Sequence, residues 1–166
     1  MSTLLRLLRH LWTAIWPVRA AMTPAVRAAI EAEIAATESR HAGEIRFAIE
    51  QALGLPQLCR GVTARQRALQ LFAGLGVWDT EQNNGVLIYV LLADHCVELV
   101  ADRGIAARVP IEEWRQLCGE VEARYRSADY IGGSQVAVRG VARCLARHFP
   151  HAGADRDELP NQPVLL

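Results

Sequence analysis

Seven consecutive apolar residues, Val86 to Leu92, limit the fold of this chain more than any other segment. Successive side chains of a strand point to opposite faces, so a strand that is apolar throughout must be covered on both sides. The segment therefore calls for a buried sheet with helices above and below it, and the stretch from Val77 to Gly104 is expected to supply that sheet's centre. A tight connection at Ala93-Asp94-His95 leads into Cys96 to Ala101, which predicts an antiparallel hairpin. Upstream, Glu44 to Glu50 alternates, with Ile45, Phe47 and Ile49 on one face and Glu44, Arg46 and Glu50 on the other, the pattern of a half-buried strand.

The elements between and around these strands are helical. Thr63 and Gln66 form a capping box at the start of Ala64 to Gly74, whose Ala68, Leu69, Leu71 and Phe72 make an apolar stripe. A strand, a helix and a strand in succession make a crossover, which places the first two strands parallel and the sheet as a whole mixed. Thr23-Pro24 gives an N-cap followed by proline at the first helical position, with Val26, Ile30 and Ile34 at helical spacing behind it. Pro110 opens a helix carrying Ile111, Trp114, Leu117, Val121 and Tyr125, and a last helix begins near Ile131. The predicted fold is α/β, a single three-layer α/β/α sandwich with a small mixed sheet. A chain of 166 residues needs no second core.

Ahead of this domain, which is assigned to residues 23–150, residues 1–22 form an amphipathic segment. Leu4, Leu8, Leu11, Trp12 and Ile15 share one helical face, with Trp16 following. The segment is too short and too charged to span a bilayer, which takes ~20 mostly apolar residues, and Arg6 and Arg9 interrupt what would be a signal peptide's apolar region. Two readings stay open: the helix lies on a membrane surface, or it packs on its own domain or a partner. Residues 151–166 have no periodicity and are expected to be a flexible tail.

Acidic and basic residues number 18 each, so net charge points to no nucleic-acid partner. All the basic side chains among them are arginine. A chain without lysine cannot form a lysine Schiff base, use a lysine general base or build a P-loop lysine site. Nucleotide-binding glycine fingerprints are absent, and no organic cofactor is expected. Cys59, Cys96, Cys118 and Cys144 are scattered with no C-x-x-C pair, and are read as reduced, mostly buried residues of a cytoplasmic protein.

Two groups of side chains are candidates for binding. Asp79, Glu81 and Asn84, in the loop before the central strand, are expected to lie at the same end of the hairpin as Asp102. Hard oxygen ligands in such a crevice suit calcium or magnesium. The alternative is that Asp79 and Thr80 cap a turn, Asn84-Gly85 supplies a positive-φ turn and Asp102 pairs with Arg103 or Arg108. Arg139, Arg143 and Arg147 recur every fourth residue of the last helix, either as an anion-binding stripe or as a solvated face. Asp94, at the hairpin's other end, is expected to be remote from the metal candidates. No Gly-x-Ser-x-Gly motif occurs, and no catalytic residue is named.

Asn84-Gly85-Val86-Leu87-Ile88 entering the central strand, Ala93-Asp94 at the hairpin, Gly104 after the next strand, and Tyr125-Arg126 followed by Ala128-Asp129-Tyr130 together resemble the TPM-domain family. The overlap runs from about Ile45 to Leu145. Gly-Glu-Ile-Arg-Phe at 43 to 47 and Val-Trp-Asp-Thr-Glu-Gln-Asn-Asn-Gly-Val-Leu-Ile-Tyr at 77 to 89 are similar to a short, tail-less bacterial branch of uncharacterised members. The resemblance implies an α/β/α sandwich with acidic residues near strand ends, where some relatives bind calcium. Relatives include weak acid phosphatases, photosystem-repair factors and receptor-auxiliary proteins. Where many relatives have a Gly-x-Gly turn after the third strand, this chain has Asp102-Arg103-Gly104, and the acid that follows that turn is absent.

The expected function is a non-enzymatic accessory or interaction protein at or near the cytoplasmic membrane, with a protein partner and peripheral attachment to the inner membrane. The alternative is a metal-dependent phosphatase in which Asp79 and Asp102 hold calcium or magnesium and an arginine orients phosphate.

Overall fold

A computed structural model describes residues 3–15, 21–151 and 158–166 of the chain. Seven helices and four strands follow one another among these residues: α1 (Thr3–Ile15), α2 (Pro24–Glu38), β1 (Ile45–Glu50), α3 (Leu55–Cys59), α4 (Ala64–Gly74), β2 (Val86–Leu91), β3 (Cys96–Ala101), α5 (Arg103–Ala106), α6 (Ile111–Arg126), α7 (Tyr130–His148) and β4 (Val164–Leu165). The sheet order is β3-β2-β1-β4. β1 runs parallel to β2 with Ile45 opposite Val86, and β2 pairs antiparallel with β3 with Val86 opposite Ala101. The mixed sheet expected from the hairpin and the crossover is therefore present.

Every residue of β2 is buried, because its two faces feed two cores. Val86, Ile88 and Val90 join Phe47, Val97 and Leu99 beneath α2, α6 and α7. Leu87, Tyr89 and Leu91 join Ala48 and Val100 beneath α3 and α4, with Leu7 of α1 packed against the same group. This gives three layers, α2/α6/α7, the sheet, and α1/α3/α4. The signals at the helix starts act as read: the Thr23 hydroxyl accepts from the Val26 amide, and Thr63 and Gln66 close a reciprocal capping box.

Three expectations are corrected. β1 is not half-buried, since α4 covers its polar face. Glu50 is buried there, accepting from the Tyr89 hydroxyl at 2.7 Å and the Arg67 Nε at 2.8 Å. Burial, together with the Glu50 carboxylate, raises the Tyr89 phenol well above its ordinary value.

The tail is the second. Residues 158–166 return to the free edge of β1, where Val164 pairs with Ala48 and Leu165 with Ile49. Leu159 is buried in the core beneath α4, Glu44 accepts the amides of Glu158 and Leu159, and Arg46 donates to the carbonyls of Pro160 and Gln162. The segment has no period to read because backbone pairing at an edge, with side chains of β1 reaching out to it, holds it in place.

The third concerns Gly85. The left-handed residue of this turn is Asn83, at φ 54°. Gly85 is needed for space instead: a Cβ there would lie 2.0 Å from the Val77 carbonyl oxygen.

Candidate functional site

At the hairpin end of the sheet, a short 3-10 turn (Leu92–Asp94) places Asp94 beneath α1. Asp94 gathers three side chains from that helix. Arg6 donates through Nε at 3.1 Å and Nη2 at 2.9 Å, Arg9 donates through Nη2, and His10 Nε2 lies 3.0 Å from Oδ1. The other ring nitrogen of His10 accepts the Leu53 amide at 3.0 Å. A backbone N–H can only donate, so Nδ1 carries the lone pair and Nε2 carries the proton given to Asp94. Arg6 also donates to the Val62 carbonyl at 2.9 Å, and the Gln51 amide to the Thr13 carbonyl.

The electrostatics follow from this packing. Burial pulls His10 below its ordinary value even though Asp94 opposes it, so the imidazole is neutral at pH 7. Burial alone would raise the Asp94 carboxyl, but the hydrogen bonds from Arg6 and His10 and the charge of Arg6 outweigh it and hold the group below the usual range. The result is one carboxylate clasping two guanidiniums and a neutral imidazole.

The clasp sets the orientation of α1. Helix geometry puts Arg6, Arg9, His10 and Thr13 on one side and Leu4, Leu5, Leu8, Leu11 and Trp12 on the other. The polar side faces the protein. The five apolar residues face outward and remain 42–67% exposed, the reverse of an ordinary surface helix. Of the two sequence readings, packing on its own domain accounts for the polar face and leaves the apolar face largely exposed. Trp16 and the side chain of Ile15 lie outside the described residues.

The oxygen donors at the opposite end of the hairpin are arranged differently. The loop at Asn83 and the turn at Gly104 do meet, as the sequence implied: the Gly104 amide donates to the Asn83 carbonyl at 3.0 Å and Arg103 Nε to Asn83 Oδ1 at 2.9 Å. The contact is closed, since a Cβ on Gly104 would lie 2.5 Å from that carbonyl oxygen. Asn84 is buried, donating its side-chain amide to the Ala42 carbonyl at 2.7 Å. Asp102 caps α5, with Oδ1 accepting the Arg103 amide at 2.7 Å and Oδ2 buried without a partner. Asp79 and Glu81 are exposed. Among the described residues no three His, Cys, Asp or Glu side chains gather to hold a metal, so Asp79, Glu81 and Asp102 do not fit together as a three-carboxylate set.

The arginine stripe of α7 is largely paired. Arg139 makes a two-point ion pair with Glu33 of α2, both contacts at 2.7 Å, and Arg147 meets Glu113 of α6 at 3.2 Å. Arg143 lines a groove with Glu112, Glu113 and Glu120. All four cysteines are free thiols. Burial pushes Cys96, Cys118 and Cys144 up to about 12, which leaves them protonated and unreactive at neutral pH.

Asp94 was visible in the sequence only as a turn residue. Nothing local marks it as a hub, because His10 lies 84 positions away. The available signal was the combination of histidine and two arginines on one side of an otherwise apolar helix, which calls for an acid somewhere in the fold.

A model of the TPM domain matches residues 19–144. The fold is similar to the NMR structure of the BA42 protein from the psychrophilic bacterium Bizionia argentinensis, with a TM-score of 0.76 and 27% identity over 87% of this chain and 95% of that one. No curated protein matches the chain. The expected family and its α/β sandwich are thus both present, and the chain belongs to the TPM-domain family.

Proposed function

We propose that this chain is a non-enzymatic accessory protein that works at the surface of the cytoplasmic membrane, resting on it through the outward face of α1. The observation that carries this reading is the inverted docking of α1. A helix whose polar side is committed to Asp94, Leu53 and Val62 can present its leucines and Trp12 to an interface without leaving its own domain. The described helices include none long and apolar enough to cross a membrane, so the contact would be peripheral.

The magnitude is modest. A fully buried Leu or Trp is worth ~1.5–3 kcal/mol. Five side chains that are about half exposed therefore offer about 5 kcal/mol, a sub-millimolar to millimolar attachment. That suits reversible association, and it calls for a further contribution if attachment is to be stable.

The test is co-flotation of the full chain with lipid vesicles. Wild type is expected to float, and Leu8→Glu with Trp12→Glu to stay at the bottom while keeping wild-type circular dichroism. Equal recovery of the two proteins in the floating fraction would overturn the reading. The phosphatase alternative is not carried forward, since its ion would need Asp79 and Asp102 as joint ligands, and Asp102 is turned to the cap of α5 while Asp79 is exposed.

A further inference from the structure

The outer layer formed by α1, α3 and α4 differs from the opposite layer in both charge and exposed apolar surface. Between Gln51 and Trp78 the chain carries Arg60, Arg65 and Arg67 and no aspartate or glutamate, and α1 is equally free of acids. The other layer carries three glutamates in α2 and four in α6. Leu55 of α3, Leu69 of α4 and Trp78 just beyond α4 are 52%, 46% and 54% exposed, on the same layer as the outward face of α1. The α2/α6/α7 layer shows only Ile111 and Ile131 among large exposed apolar side chains of the described residues.

Several of the arginines on the acid-free layer are partnered. Arg67 is held by the buried Glu50, Arg65 lies 3.5 Å from Glu98, and Arg6 and Arg9 are held by Asp94. Arg60, at the C-cap of α3, is exposed. It sits next in sequence to the α3 helix that displays Leu55. Trp78 is fixed against α4 by its indole N–H, which donates to the Ala73 carbonyl at 3.3 Å. Leu55 thus stands on a helix capped by Arg60, Leu69 on a helix that carries Arg65 and Arg67 and no carboxylate, and Trp78 just before the exposed Asp79.

We infer that α3, α4 and Trp78 form a second contact on the layer that carries α1, and that the two together fit the surface of a bilayer containing anionic lipid. This deepens the membrane reading above and rests on it. The attraction comes from the exposed Arg60, since Arg6, Arg9, Arg65 and Arg67 face carboxylates; α1, α3 and α4 add no carboxylate of their own, and the exposed Asp79 opposes the attraction at the Trp78 end. Leu55, Leu69 and Trp78 enlarge the apolar contact beyond what α1 offers alone, and each cation near an anionic surface contributes about fivefold in affinity. The protein would consequently bind in one orientation, with the glutamate-bearing α2/α6/α7 layer turned to solvent.

The experiment uses the full chain with vesicles of phosphatidylcholine alone and of phosphatidylcholine with phosphatidylglycerol. Wild type is expected to bind the anionic vesicles more tightly, with a difference that shrinks as salt rises. Leu69→Glu with Trp78→Glu, leaving α1 untouched, is expected to weaken anionic-vesicle binding by ~tenfold or more. Arg60→Glu is expected to weaken it several-fold while leaving phosphatidylcholine binding unchanged. Both substitutions alter exposed positions, so wild-type thermal melting is the folding control.

If the α4 variant binds anionic vesicles as wild type does, the second contact is wrong and the α1 reading stands. If wild type shows no preference for anionic vesicles, the charge argument is overturned. If wild type binds neither kind of vesicle, both proposals fail. Association with native membranes that disappears when their proteins are digested would identify a protein partner and overturn the lipid assignment.

Discussion

Replacing Asp94 by asparagine should release α1 while leaving the sandwich folded. Asp94 is 12% exposed and holds Arg6, Arg9 and His10. An asparagine keeps the shape but removes the charge that balances two guanidiniums. Breaking one partner out of a buried ion cluster costs ~3–5 kcal/mol. Arg6 and Arg9 are 21% and 32% exposed, so water recovers part of that loss and about 3 kcal/mol is the appropriate figure. At 1.4 kcal/mol per factor of ten, this shifts the docking equilibrium by roughly a hundredfold. A helix of 13 residues is marginal alone in water, so undocked α1 should also fray.

The assay is native-state amide hydrogen exchange followed by NMR. The Leu53 amide, donated to His10 Nδ1, and the hydrogen-bonded amides of α1 should exchange about a hundredfold faster in Asp94→Asn. Amides of β2, at the centre of the sheet, and of α7, in the opposite layer, should keep their protection. Exchange at Leu53 and α1 within threefold of wild type would refute the clasp, and loss of protection throughout the sheet would show that Asp94 supports the whole fold.

Acid should loosen the same clasp. His10 has its folded value depressed, so its contribution is complete above its ordinary value of 6.5 and is lost as pH falls through the folded value, because undocked α1 takes up the proton first. Faster Leu53 exchange, corrected for the intrinsic rate, should therefore begin below about pH 6.5, and a His10→Gln variant should lose that step. Gly85→Ala drives a Cβ to 2.0 Å from the Val77 carbonyl and should cost about 3 kcal/mol, at the upper end for forced packing, read as a fall in the denaturation midpoint. A chain ended before Glu158 loses β4 and the Leu159 anchor; it should melt earlier and aggregate more readily through the opened edge of β1.

The parts of this fold that could be read from sequence are those whose causes are local. The apolar run of β2 demanded cover on both faces of the sheet, and both covering layers exist. Thr23-Pro24, the Thr63/Gln66 capping box and Pro110 mark helix starts because the groups that satisfy a helix's first amides lie within three residues of one another. The failures have the opposite character. Glu50 looked solvent-facing because alternation records polarity, whereas its partners Arg67 and Tyr89 come from α4 and β2. Residues 158–166 looked mobile because strand pairing at an edge uses backbone groups that every residue has. The amphipathicity of α1 was legible, but amphipathicity alone does not say which side docks. That depends on Asp94, whose place beneath the helix follows only from the assembled sheet.

The most direct measurement is paramagnetic broadening in the NMR spectrum of the full chain bound to anionic nanodiscs that contain a headgroup-labelled lipid. Amides of α1 near Leu4, Leu8 and Trp12, and those of α4 near Leu69, should broaden strongly, while those of α6 from Glu112 to Glu122 stay sharp. Broadening centred on α6 and α7, or none at all under conditions where the protein co-floats, would contradict the orientation that the inverted docking of α1 implies.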